Sequence, residues 1–182
     1  MTSRERSVTM IECFFGITLP DDFTEEVETI RRRFAAPRTA PHITLIPPFR
    51  WNRSEIELER LVTSSIQGCL PFAVRTKGLG RFGQAVIFID VVLSSELTEL
   101  YERLKEGLRQ EGIGDLAKGR PYHPHITLAT RLSPGEFNRY MEELADYSPI
   151  REFLCQEVAL FRMHTEGRFR RWQVARQLPL GS

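Results

Sequence analysis

Five consecutive residues, Pro41-His42-Ile43-Thr44-Leu45, recur letter for letter as Pro124-His125-Ile126-Thr127-Leu128. The copies stand 83 residues apart in a chain of 182, close to half its length. From average residue frequencies, an identical five-residue match in a chain this size has odds on the order of one per cent, so duplication of a structural unit is the better explanation. The flanking pattern agrees. A strand and then a helix precede each copy, over Val8 to Ala35 in one half and Ala85 to Gln110 in the other, and a capped helix follows each. The chain reads as two copies of one β-α-β-α unit.

Start signals and apolar spacing predict four helices. The first follows Pro20, with Asp22 as N-cap, Glu25 three residues on, and Phe23, Val27, Ile30 and Phe34 on one face, and it ends before Pro37. Ser54 and Glu57 form a capping box for the second, which carries Leu58, Leu61, Val62 and Ile66 and stops near Gly68. The third runs from about Ser95 to Gln110 with Leu97, Leu100, Tyr101, Leu104 and Leu108 as its stripe. Ser133, Pro134 and Glu136 open the fourth. Strand-like segments lie at Val8 to Ile17, Ile43 to Ile46, Phe72 to Lys77, Ala85 to Leu93, Ile126 to Thr130, Phe153 to Met163 and Phe169 to Leu178. Ile46-Pro47-Pro48-Phe49 is expected to make a rigid turn after the first copy. With no linker or low-complexity tract, residues 1–182 are expected to form one α+β domain. Its lobes are built around 8–68 and 85–147, and the strand pair 153–178 completes a sheet.

Composition narrows the function. Lys+Arg number 25 against 24 Asp+Glu, a net charge of +1, which excludes a protein that coats nucleic acid by bulk charge while leaving a local basic cleft open. No window approaches the roughly 18 uncharged apolar residues of a membrane span, and residues 1–6 lead into strand-like sequence instead of an apolar signal core. Cys13, Cys69 and Cys155 are odd in number, far apart and outside any Cys-x-x-Cys spacing, which fits reduced thiols in the cytoplasm.

In a strand, residues i and i+2 share a face, so His42 points with Thr44 and His125 with Thr127. Two such strands converging on one cleft would offer two imidazoles and two hydroxyls to a single phosphate. An imidazole, with a reference pKa of roughly 6.5, serves as base in one copy and acid in the other near neutral pH. The hydroxyls would stabilise non-bridging oxygens as charge builds. No metal or cofactor is needed for that in-line displacement.

The paired His-x-Thr motifs resemble the two-histidine (2H) phosphoesterase superfamily, in its 2'-5' RNA ligase and cyclic phosphodiesterase, LigT-like branch. The resemblance also takes in Gly16 with Leu19-Pro20, Pro71-Phe72, Gly78-Leu79-Gly80-Arg81-Phe82 and the closing strand pair. It implies a bilobal α+β fold with antiparallel sheets lining a central cleft, a catalytic quartet of His42, Thr44, His125 and Thr127, and metal-independent action on 2',3'-cyclic or 2'-5' phosphodiester ends. The implied partners are RNA ends or a small nucleotide, and a monomer is expected. Family members usually carry Arg close after the second motif, whereas here Thr130 intervenes before Arg131.

Further substrate-binding candidates are Phe49, Trp51, Phe82 and Tyr122 as stacking surfaces, His123, and Arg131 for phosphate. Two alternatives remain open. One is a metal-dependent hydrolase using His42, His123 and His125, against which stand the absence of Asp or Glu near these histidines and Ala40 at the position matching His123. The other is a non-catalytic nucleotide- or RNA-binding module. Gly78-x-Gly80-x-x-Gly83 matches a dinucleotide fingerprint by letter but leads into a strand, so it reads as a β-turn region. The arginines at 162, 168, 170, 171 and 176 could steer phosphates or cover a solvated sheet face.

Overall fold

The structure is a computed structural model that describes residues 10–34, 39–114, 116 and 118–181. Its elements run β1 (Ile11–Thr18), α1 (Asp21–Arg31), β2 (His42–Trp51), α2 (Glu55–Ile66), β3 (Phe72–Phe82), β4 (Val86–Val91), α3 (Ser95–Gln110), β5 (His125–Thr130), α4 (Pro134–Glu143), β6 (Glu152–Cys155), β7 (Glu157–Glu166) and β8 (Phe169–Pro179). The expected strand start at Val8 and the Ala35 to Pro37 boundary lie outside the described residues.

Two four-stranded antiparallel sheets form, in the orders β2-β1-β7-β8 and β5-β4-β3-β6. The orders match term by term. Each motif strand, β2 or β5, is an edge strand beside the strand that opens its half, β1 or β4. The sheets approach each other through these two edges, since β2 lies against β5. α1 packs on β5 and α3 on β2, so each half's first helix reaches the other half's motif strand, while α2 lies against α3. One contiguous apolar core runs through both halves, and Phe14, Ala159 and Phe161 form a second cluster with Trp172 against it.

A shared irregularity marks the internal repeat. Gly16 pairs with Thr44 and Phe15 with Ile46, leaving Leu45 as an extra residue; Phe88 pairs with Thr127 and Ile87 with Ala129, leaving Leu128. A bulge therefore follows the threonine in each copy and puts two successive residues into the core, Leu45 with Ile46 and Leu128 with Ala129. It also resets the alternation, so that the third residue after each threonine, Pro47 or Thr130, returns to the partly exposed face.

Several elements depart from the sequence expectation. Pro47 and Pro48 do not end the strand: β2 runs on to Trp51, with the two prolines opposite Phe14 alone in a second bulge. An edge strand tolerates their missing N–H groups there. The capping boxes at Ser54 and Ser133 form as read, but α1 begins at Asp21 after Pro20 with no side-chain cap, which puts Asp22 inside the first turn and not at the N-cap. Ser94 caps α3. Gly78 and Gly80 lie within β3, and the turn comes only after Phe82, because a φ of +105° at Gly78 lets the strand continue through an irregularity between Thr76 and Leu79. The segment 153–163 is two strands: Gln156 separates β6, paired with β3 in one sheet, from β7, paired with β1 in the other. Among the described residues no helix is long and apolar enough to cross a membrane.

Candidate active site

Both motif strands open with the same alternation. Ile43 and Leu45, like Ile126 and Leu128, are fully buried, while His42, Thr44, His125 and Thr127 are partly exposed on the opposite face. The aliphatic residues anchor each strand in the core, and period-two geometry leaves the polar ones facing the cleft.

Each imidazole is held in the same way. His42 Nδ1 lies 2.7 Å from the Ala40 carbonyl, and His125 Nδ1 lies 2.7 Å from the His123 carbonyl. A carbonyl only accepts, so Nδ1 carries the hydrogen in both rings and Nε2 is left to exchange protons. Two aromatic rings support each histidine. For His42 they are Phe14 and Phe161, with centroids 4.9 and 5.0 Å away; for His125 they are Phe82 and Phe88, both at 5.0 Å. Small residues make room for these rings. A Cβ on Gly80 would come within 2.2 Å of the Phe88 ring, and one on Gly16 within 2.8 Å of the Ile43 carbonyl and 3.2 Å of the Phe161 ring.

The cleft has two compartments. The smaller, about 220 Å³, is lined by Arg31, Pro41, His42, Thr127 and Thr130. The larger, about 790 Å³, takes in Thr44, Pro47, Phe82, Tyr101, Lys118, Arg120, Tyr122, His123 and His125. Each compartment thus combines the histidine of one motif with the threonine of the other. The Tyr122 hydroxyl donates to the Thr44 carbonyl at 3.1 Å, and its ring stacks on Tyr101 at 4.1 Å, tying the second motif's approach to the first motif's strand.

Burial dominates the electrostatics. It pushes His42 down to about 4; the Ala40 hydrogen bond opposes the fall, and the charges of Arg31 and His125 add to it. His125 is also lowered by burial, with the His123 carbonyl bond and Asp90 acting to raise it and the His123 ring to lower it. His123 Nε2 stands 2.9 Å from Asp90 Oδ1, and Lys77 lies 3.2 Å from the other oxygen of that carboxylate. A carboxylate therefore does stand beside these histidines, contrary to the sequence expectation, because β4 pairs Asp90 directly with His125 across the sheet. Among the described residues no three His, Cys, Asp or Glu side chains gather as a metal site would require, and His42, His123 and His125 form no such group.

Of the other candidates, Phe82, Tyr122 and His123 line the larger compartment, and Phe82 remains 40% exposed. Phe49 and Trp51 are instead core residues. Phe49 packs edge-on against Phe15 at 5.4 Å, and Trp51 is 1% exposed with its Nε1 donating to the Ser54 carbonyl. The long β2 turns both inward, where the expected turn would have freed them. Arg131 is exposed just beyond β5, has a φ of +60° and lines neither compartment. Three of the C-terminal arginines are engaged by carboxylates: Arg162 with Glu55 at 2.9 Å, Arg170 with Glu12 at 2.5 Å and Arg176 with Glu59 at 2.8 Å. Sequence reading missed Arg31, Asp90, Phe14, Phe88, Phe161, Lys118 and Arg120. Only Asp90 left a trace, as a carboxylate inside an otherwise apolar strand.

The model of the 2'-5' RNA ligase superfamily matches residues 8–167. The chain therefore belongs to that superfamily, among the two-histidine phosphoesterases. Solved structures share the fold. TT0787 of Thermus thermophilus is 23% identical with a TM-score of 0.66, covering 93% of this chain and 97% of its own. LigT of E. coli in apo form is 19% identical with a TM-score of 0.70, covering 95% and 99%. LigT complexed with 3'-AMP gives 19% and 0.69, covering 96% and 100%. No curated protein matches significantly.

Proposed function

We propose that the protein is a phosphodiesterase that opens a 2',3'-cyclic phosphate or a 2'-5' linkage on RNA ends or small nucleotides, with ligation as the reverse reaction. The observation that carries this reading is the exchange of partners, His42 with Thr127 and His125 with Thr44, across two facing edge strands. A binding module needs no such doubled acid and base. LigT, which shares the fold, was solved with 3'-AMP, in line with a nucleotide in the larger compartment. Phe82, Tyr122 and His123 would contact its base and ribose there.

In hydrolysis, His125 takes a proton from the attacking water and His42 delivers one to the departing ribose oxygen. The water oxygen bonds to phosphorus as the ester bond opposite breaks, and Thr44 and Thr127 donate to the non-bridging oxygens. Burial pushes His42 down to about 4, which favours its neutral form near neutral pH. Its proton must therefore arrive with the phosphate, whose negative charge offsets burial and Arg31. The reverse assignment draws on Asp90, which favours a charged His125. A substrate with an activated leaving group separates the two, because it spares only the variant lacking the acid.

The deciding experiment incubates the protein, in excess chelator, with 2',3'-cyclic nucleotides, cyclic-phosphate-ended RNA, a 2'-5' dinucleotide and ADP-ribose cyclic phosphate. Turnover of at least one is expected. Processing of none overturns the reading, and activity that chelator abolishes and a divalent ion restores favours the metal hydrolase. The three unpaired thiols, Cys13, Cys69 and Cys155, accord with a cytoplasmic protein.

A further inference from the structure

We propose that Arg31, which belongs to neither motif, grips a non-bridging oxygen of the substrate's phosphate in the compartment it shares with His42 and Thr127. This rests on the phosphodiesterase reading above and deepens it by adding a cation on the smaller-compartment side of the phosphate that both motifs flank.

The position comes from the fold. Arg31 ends α1, which packs against β5, so a side chain from the first half is delivered to the second half's motif strand. Its side chain is 2% exposed, and Nη2 donates to the Thr39 carbonyl at 2.7 Å, with Glu28 3.6 Å from Nη1. These contacts fix the guanidinium in the wall beside His42, Thr127 and Thr130. A planar, permanently charged fork held in place is suited to phosphate oxygens.

The second motif strand supplies no cation of its own to this compartment. The bulge at Leu128 returns Thr130 to the cleft face, and Thr130 is neutral. The next residue, Arg131, adopts a left-handed backbone and is exposed. Arg31 is the cation that lines this compartment, and it is delivered from a helix instead of the strand. The charge of Arg31 also opposes protonation of His42. A bound phosphate offsets that effect by placing negative charge beside Arg31 and His42.

The test compares wild type, Arg31→Met, Arg31→Lys and Arg32→Ala on a 2',3'-cyclic nucleotide, with kcat and KM measured separately and folding checked by circular dichroism. Loss of a charged hydrogen bond to phosphate predicts about a 10- to 100-fold fall in kcat/KM for Arg31→Met, partial recovery in Arg31→Lys, and a change within about twofold in Arg32→Ala. The titration midpoint of His42, followed by its Cε1–H resonance, should rise in Arg31→Met. A readout independent of variant folding is the Arg31 Nε–Hε resonance of wild type, which should shift on titration with inorganic phosphate and saturate together with His42. A folded Arg31→Met as active as wild type, or an Arg31 resonance unmoved while His42 responds, overturns the assignment and leaves the enzymatic reading standing. A wild type that neither turns over nucleotide nor binds phosphate at His42 overturns both.

Discussion

The two halves of the cleft carry the same five residues on strands at matching sheet positions, yet they differ one layer out. Across the sheet from His42 stands Thr18, and from His125 stands Asp90; opposite Thr44 is Gly16, and opposite Thr127 is Phe88. The His42 ring rests on Phe14 and Phe161, both buried, and faces Arg31 in a compartment of about 220 Å³. The His125 ring rests on Phe88 and the exposed Phe82 and opens to about 790 Å³ beside a carboxylate. The repeat places two equivalent histidines, and differences in the surrounding layer make their environments unequal. One half holds a tight pocket with Arg31 beside its histidine, the other a roomy pocket lined by Lys118 and Arg120 with Asp90 behind its histidine.

The comparison breaks most sharply at the histidines themselves. His42→Ala and His125→Ala should each lower turnover of a cyclic nucleotide by at least ~100-fold. With an activated leaving group only the variant lacking the acid recovers, which fixes which half protonates; equal recovery of both would remove the division of labour.

Proton affinity is the next difference. In the ligand-free protein His42 should titrate near pH 4, below an ordinary histidine at 6.5. Since its folded value is depressed, the unfolded chain binds the extra proton first, and stability falls as pH drops from about 6.5 towards 4, with no contribution from this group above that window. Chemical denaturation of wild type and His42→Gln across that range measures it, and the two slopes should differ. Parallel slopes would show that burial does not hold this ring neutral.

The aromatic supports give an intermediate effect. Gly80→Ala forces the Phe88 ring away from 2.2 Å contact and should cost about 1–3 kcal/mol while disturbing His125. Gly16→Ala meets a backbone carbonyl at 2.8 Å and should disturb His42 by a comparable amount. Thermal unfolding and the two histidine resonances separate the halves, since each variant should move its own ring.

Smallest is the carboxylate. Asp90→Asn removes the partner of His123 and Lys77 and should lower the proton affinity of His125, changing kcat/KM by about two- to fivefold because both partners are half-exposed. The shift should appear in the His125 titration and leave His42 unmoved.

How much of this was legible depends on the range over which each signal acts. The repeat, the capping boxes at Ser54 and Ser133 and the alternation of His42-Ile43-Thr44-Leu45 are local patterns, and each appears in the structure where the sequence placed it. The prolines at 47 and 48 misled because their effect depends on strand position: at a sheet edge, opposite a single residue, they bulge the strand without ending it. Phe49 and Trp51 were misplaced as a consequence, since a continuing strand carries them into the core. Neither Asp90 nor Arg31 could be placed beside the motifs from sequence, because one is a cross-strand neighbour and the other arrives on a helix that crosses to the opposite sheet.

From its own order of residues the chain determined that it holds two equivalent units, which side of each motif strand is polar, and which four side chains lie on that side. These follow from backbone periodicity and local capping, which act over a few residues. Tertiary structure alone decided that each histidine shares a compartment with the other unit's threonine, that a bulge turns residue 130 inward and 131 outward, and that Arg31 stands beside His42 and Asp90 behind His125. Such contacts depend on the packing of two sheet edges and a crossing helix, and no spacing along the chain encodes the distance between groups that only folding brings together.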